Sequence, residues 1–489
     1  MPQPSSRITG RDHGQFLNKG PIVFKNFLTS ITRNGISLIG TGLAIAGLVL
    51  IVSLFVMEQL GFEGGPYLGI LTYLILPMIF VTGLILIPVG AVLYRRNLRR
   101  RPGGESTPLL PIFDLNKTKT RRWMMIFVGA TMVNIVIVAG ATYKGVEVME
   151  SVEFCGMACH AVMQPEHTAY QRSSHSRVSC AECHIGPGAD WFVKSKLDGA
   201  WQLVAVTFDL YPRPIPTPLH DLRPARETCE QCHWPTRFVG DTLKIKKHYE
   251  EDEANTELTT ALLLRVGGEA GKKSSGIHWH VDPGVAIRYR SDETREEIYE
   301  VEYTDEDGAV KLFADRKAPE EGGIWRDMDC VDCHNRPSHN YKAPDFEIDV
   351  ALRDGLIDRT LPYVKKEGLR IIDAEYASHE EAREVITTEL TKYYAENYPD
   401  LATDRADDIR NAATVLGDIY SVNVFPHMKV WWNTYPEHIG HERSDGCFRC
   451  HGKRLRTEAR EQISRDCDVC HSILAEREVD PAIITQLNP

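Results

Sequence analysis

Twelve cysteines stand in six close pairs, Cys155/Cys159, Cys180/Cys183, Cys229/Cys232, Cys330/Cys333, Cys447/Cys450 and Cys467/Cys470, and none is left over. A histidine follows each pair at once: His160, His184, His233, His334, His451 and His471. Two thiols and an adjacent imidazole are the donor set for covalent porphyrin attachment. The thiols bond the two vinyl groups along one edge of the macrocycle, and the histidine reaches the iron. Five pairs keep the Cys-x-x-Cys spacing; the first, Cys155-Gly-Met-Ala-Cys159, is one residue longer. Zinc also takes Cys-x-x-Cys pairs, but it does not require a histidine directly behind every second thiol. With 18 histidines in 489 residues, six such coincidences point to six covalently bound c-type haems.

Six irons also need ligands on their opposite faces. Outside the motifs and His13 there are eleven histidines: His167, His175, His220, His248, His278, His280, His339, His379, His427, His438 and His441. His175, His248, His339, His427 and His438 rank highest as axial ligands. His339 lies five residues behind a motif histidine, and His427 and His438 lie in the aromatic run before the fifth motif. His278 and His280, in GIHWHVD, would share one face of a strand, and the choice between them stays open. His379, within a charged helical pattern, is expected in solvent. Met163, in CHAVM, is a further candidate, because a methionine ligand raises haem potential; a methionine filling the core is the plainer reading. Which of His160 and Met163 binds the first iron is left open.

Three apolar stretches must anchor these sites: 36–57, 67–94 with Pro77 and Pro88, and 123–143. Each is long enough to span a bilayer core. The first begins some 35 residues in and lacks a small-residue cleavage site, so it is not read as a removed signal peptide. The loop 95–122 carries nine Lys and Arg, while 58–66 carries only Glu58 and Glu63. The positive-inside rule therefore places the tail and the basic loop in the cytoplasm and everything after Lys144 outside, the side on which thioether attachment occurs. No histidine lies in the spans, so a membrane b-type haem with two histidine ligands is not available from this chain. Charge follows the same division, +10 over residues 1–145 and −21 over the remainder. The acidic balance argues weakly against nucleic acid, and it fits a partner with a basic docking patch and simple solubility equally well. No GxGxxG, P-loop or HExxH motif is present.

The stretch from Val133 to Leu203 holds the third span, then GVEVMESVEFCGMACHAVM, then HTAYQRSSHSRVSCAECHIGPGADWFVKSKLDG. In its order of anchor helix, first haem, methionine, histidine and second haem it resembles the NapC/NirT family of membrane-anchored quinol dehydrogenases. The resemblance implies that Met163 ligates the first iron and that Asp198 helps form a quinol site. Trp191 stands where the family has a lysine, and both the first cysteine spacing and the spacing to Met163 are one residue longer than usual. Typical members have one membrane helix and four haems, so three helices and six motifs resemble the larger inner-membrane type.

The fold expected is three N-terminal transmembrane helices plus a periplasmic multihaem cytochrome c domain, mainly α and loop with a β-rich insertion. The division is a cytoplasmic tail (1–34), the membrane helices (35–145), a NapC/NirT-like region with haems 1–3 (146–235), a β-rich insertion (236–325), haem 4 (326–345), a helical segment (346–420), and haems 5–6 with the C-terminal tail (421–489). Within the insertion, Asp305–Gly308 is expected to turn a hairpin. In the helical segment, Val385, Ile386 and Leu390 share one side. The function expected is oxidation of quinol, menaquinol first, at the outer face of a bacterial inner membrane, with electrons passed to a periplasmic cytochrome or reductase. Asp198 is the first candidate proton acceptor, with Glu150 and Glu153 as second choices. The alternatives are a terminal reductase of a nitrogen or sulfur oxyanion, which needs an open iron position, and a membrane subunit that recruits a soluble enzyme.

Overall fold

The computed structural model describes residues 34–59, 71–100, 115–158, 160–219, 222–234, 237–268, 276–305 and 307–487. The leading tail, loop 60–70, much of the basic loop, Cys159, the His160 side chain and His220 lie outside the described residues. The chain divides into two units, Met1–Phe154 and Cys155–Pro489.

The first unit holds α1 (Gly35–Gln59), α2 (Leu76–Arg99) and α3 (Thr118–Met149), all long and apolar enough to cross a membrane. The second apolar run is not one helix: Leu71–Ile75 forms a π-helical turn, and Pro77 then sits in the first turn of α2, where its missing N–H leaves no bond unmade. Helices α1 and α2 meet through small residues. A Cβ at Gly83 would come within 2.6 Å of the Ala44 backbone nitrogen and 2.7 Å of the Gly40 oxygen, so only glycine permits this approach. Ser37 Oγ donates across the pair to the Ile87 carbonyl at 2.9 Å. Part of the basic loop is helical: Arg95, Arg96 and Arg99 end α2, and Lys119, Arg121 and Arg122 begin α3.

The second unit begins with four helices, α4 (His160–Gln171), α5 (Cys180–His184), α6 (Ala189–Thr207) and α7 (Ala225–Cys229). Two antiparallel sheets follow. Strands β1 (Asp241–Tyr249) and β2 (Glu257–Arg265) form a hairpin. Strands β3 (Ala286–Ser291), β4 (Ile298–Thr304), β5 (Val310–Asp315) and β6 (Ile324–Asp327) form the other sheet, in the order β6-β3-β4-β5. The β4–β5 turn falls where the sequence places it: the Asp305 N–H donates to the Ala309 carbonyl, and Gly308 takes a φ of 80°.

Five helices then pack into a bundle, α8 (Pro344–Arg353), α9 (Val364–Ile372), α10 (His379–Asn397), α11 (Pro399–Asp404) and α12 (Ala406–Asn423). Its core includes Ile348, Leu352, Ile386, Leu390, Leu416 and Tyr420; Val385 is half-buried. Ser378 caps α10 by accepting from the Glu381 N–H. His379 does not stand in solvent as its charged surroundings predict. Its Nε2 bonds the Val424 carbonyl at 2.6 Å, and its ring packs edge-on to Tyr420 and Phe425. The C-terminal segment returns to both sheets: β7 (Leu455–Arg456) pairs with β5, and β8 (His471–Glu478) pairs with β2.

Candidate functional site

The motifs sit on short helical turns whose caps come from neighbouring residues. Ser179 and Glu182 form a reciprocal capping box over Cys180–His184. Asp329 and Asp332 do the same for Cys330–Asp332. Asp329 has a second role, since it also accepts from the N–H groups of Ala225 (2.9 Å) and Arg226 (3.3 Å), at the start of the helix that carries Cys229. One carboxylate thus joins the third motif to the fourth.

The fourth and fifth motifs are joined from the fifth. Arg449, buried between Cys447 and Cys450, donates to the Asp332 and Arg295 carbonyls. Asp332, also buried, accepts from Arg295 at 2.8 Å, from the Tyr289 hydroxyl and from its own cap N–H.

The thiols follow one another in chain order. Burial raises the pKa of the Cys183, Cys333 and Cys470 thiols, with smaller contributions from the neighbouring Cys229 and Cys232 on the first and from Cys447 on the other two. Cys229 and Cys330 share a hydrogen bond that lowers the first thiol's pKa and raises the second's. Burial pushes the Cys450 thiol up to about 11, against the pull of Arg449.

Five motif histidines each face one other histidine. The ring centroids are 6.1 Å apart for His184 and His339, 6.0 Å for His233 and His175, and 6.3 Å for His334 and His278. They are 5.7 Å apart for His451 and His280, and 6.1 Å for His471 and His441. Two imidazoles on opposite faces of one metal, each bonded at about 2 Å, place their centroids roughly 6 Å apart. Among the described residues, no three His, Cys, Asp or Glu converge as a metal cage. The histidines meet in twos, as the axial positions of a haem iron require.

The ring nitrogens sort the histidines further. Nδ1 is held at 2.8 Å by the Val266 carbonyl for His278, at 2.8 Å by the Ile277 carbonyl for His280, and at 2.6 Å by the Ser464 carbonyl for His451. For His339 it is held by the Glu166 carbonyl at 3.0 Å and by the Glu166 carboxylate, itself fixed by Arg336. That is the outer-shell bond that fixes a metal-binding histidine and leaves Nε2 for the metal. In His427 and His438 the nitrogen already bonded is Nε2, to the Ala161 carbonyl at 3.0 Å and to Glu296 at 2.7 Å. His248 lies 3.6 Å from the Asp349 carboxylate through Nδ1. Burial lowers the pKa of His184, His280, His334 and His339, favouring the neutral ring whose lone pair a metal needs.

His278 and His280 do not share a strand face. Gly276–Val281 is a 3-10 turn, in which residues two apart point about 240° apart, so one ring faces His334 and the other His451. His441, six residues before Cys447, stands outside the residues ranked highest, yet its ring faces His471. Met163 packs beside an apolar cluster that includes Val162, Ala169 and Phe425. The His167 ring lies against Gly156 within the first motif. Asp198 is half-buried on α6, and Glu150 and Glu153 follow the end of α3 in the first unit.

Residues 116–212 match the NapC/NirT cytochrome c family, N-terminal region. Over 451 residues the sequence is 43% identical to the cytochrome c-type protein ImcH of Geobacter sulfurreducens, covering 91% of this chain and 88% of that protein. The chain belongs to the NapC/NirT cytochrome c family. It is a membrane-type multihaem cytochrome c, built for electron transfer, and the family binds its haem covalently through cysteine. The facing histidine pairs and adjacent thiols fit that group. No solved structure matches the chain.

Proposed function

We propose that this chain is a hexahaem quinol dehydrogenase of a bacterial inner membrane. Its haem-bearing unit faces the periplasm and delivers electrons to a periplasmic cytochrome or reductase. The observation that carries the reading is the set of five histidine pairs at 5.7 to 6.3 Å, each joining a motif histidine to one from elsewhere in the chain. In this assignment His339, His175, His278, His280 and His441 are the distal ligands of the second to sixth haems. His160 and Met163 are the protein ligands offered to the first. Bound haem supplies the one-electron redox chemistry. With a histidine offered on each side, five haem irons would have no open position, which favours a carrier over a terminal reductase.

The chain's own residues set the order and handle protons. Asp329 and Arg449 fix the spacing of the third, fourth and fifth attachment sites. The Asp198 carboxylate accepts a phenolic proton from bound quinol; Glu150 and Glu153, which follow α3 in the chain, are the second candidates for that role. The chain's family membership and its three membrane-length helices support quinol, menaquinol foremost, as the donor. Asp198→Asn is expected to slow reduction of haem by a menaquinol analogue on the order of 100-fold, within the usual range for a lost proton acceptor. Dithionite should still reduce every haem in that variant. The reading fails if wild-type protein in phospholipid vesicles, with full haem content, is not reduced by quinol.

A further inference from the structure

We infer that helix α6 lies on the bilayer, with one face inserted among lipids. Val193, Leu197, Trp201, Val204 and Phe208 are 56%, 68%, 62%, 41% and 68% exposed. At 100° per residue they project within about 40° of one line, so from Val193 to the C-cap the exposed side of α6 is an apolar stripe, with the exposed Asp190 on the same line one turn before it. Beside the stripe Ala205 is buried, and on the opposite side Val206 packs against the apolar cluster of Tyr341 and Phe425 while Gln202 is exposed. A surface helix of a soluble body turns its polar face to water; this one exposes an apolar face as well.

The occupant that fits the stripe is the lipid–water interface. Trp201 and Phe208 are side chains that settle at that boundary, and Lys194 and Lys196 flank the stripe near Trp191 and Phe192. The same chain carries three membrane-length helices, and 39 residues separate Met149, the end of the last, from Ala189. Asp198, one residue past Leu197, would then sit at the depth of a quinol headgroup. The inference rests on the membrane-anchored reading above and adds a second contact with the lipid.

The test uses the full-length, haem-loaded protein in phosphatidylcholine/phosphatidylglycerol vesicles. With all twelve cysteines bonded to haem, a single introduced cysteine is the one free thiol for a nitroxide. Labels are placed in Leu197→Cys, in Val136→Cys within α3, and in Glu384→Cys on the exposed side of α10, each checked for unchanged haem content. Electron paramagnetic resonance saturation should show oxygen reaching positions 136 and 197 several-fold better than a water-soluble nickel chelate, with the order reversed at 384. Preference for the nickel chelate at 197, with 136 still oxygen-accessible, overturns the inference while leaving the anchor intact. Exclusion of both reagents at 197 also overturns it and shows a protein, a second copy or a partner, covering the face. If 136 itself prefers the nickel chelate, the membrane reading fails and this inference falls with it.

Discussion

His278→Ala and His280→Ala will each convert one low-spin haem to high-spin, and the two variants will affect different haems. Their rings face His334 and His451 respectively, and their Nδ1 atoms are both bonded to carbonyls, which leaves Nε2 toward the partner ring. Removing either imidazole opens one sixth position, to which cyanide or carbon monoxide then binds. The double variant will show two such haems. In the ferric spectrum each single change moves about one sixth of the haem signal, and electron flow across the affected site falls steeply. His438→Ala will leave the spin state unchanged, because the His438 Nε2 is already bonded to Glu296. One high-spin haem common to both single variants, or a high-spin haem from His438→Ala, contradicts the assignment.

Asp332→Ala will destabilise the haem-bearing unit by about 2–4 kcal/mol, the cost of leaving the buried Tyr289 hydroxyl and the half-buried Arg295 guanidinium without their acceptor. The carboxylate is 4% exposed and satisfies Arg295, Tyr289 and the Asp329 N–H together. Its loss leaves a guanidinium, a hydroxyl and a turn N–H without an acceptor, between two haem attachment sites. A calorimetric midpoint roughly 3–6 °C lower is expected. Asp332→Asn should lose less, because its amide oxygen still accepts from Tyr289 or the cap. An unchanged midpoint for the alanine variant would show that the buried pair contributes little.

What could be read from the sequence was local. Thiol pairs with a trailing histidine, uncharged runs of membrane length and the turn at Asp305–Gly308 each need only neighbouring residues to be recognised. The distal histidines do not. His184 and His339 are 155 residues apart and His451 and His280 are 171 apart, so their meeting depends on how the bundle and sheets return the chain. The sequence does carry one usable signal. His175 lies five residues before Cys180, His339 five after His334 and His441 six before Cys447. None of these three faces the histidine of the motif beside it; each faces that of another motif. Aromatic surroundings raised His427 and His438 in rank, but a carbonyl or carboxylate on Nε2 cannot be seen without the fold. The strand reading of His278 and His280 failed because Gly276, at a φ of 64°, opens a tight turn there.

The central claim is that every cysteine pair in this chain carries one covalent haem, the longer first pair included. Intact-mass measurement of the mature protein, with a thiol count on the same sample, tests it most directly. The account predicts the polypeptide plus six haem masses and no reactive thiol. The bare polypeptide mass, or five haems with Cys155 and Cys159 still free, would contradict it.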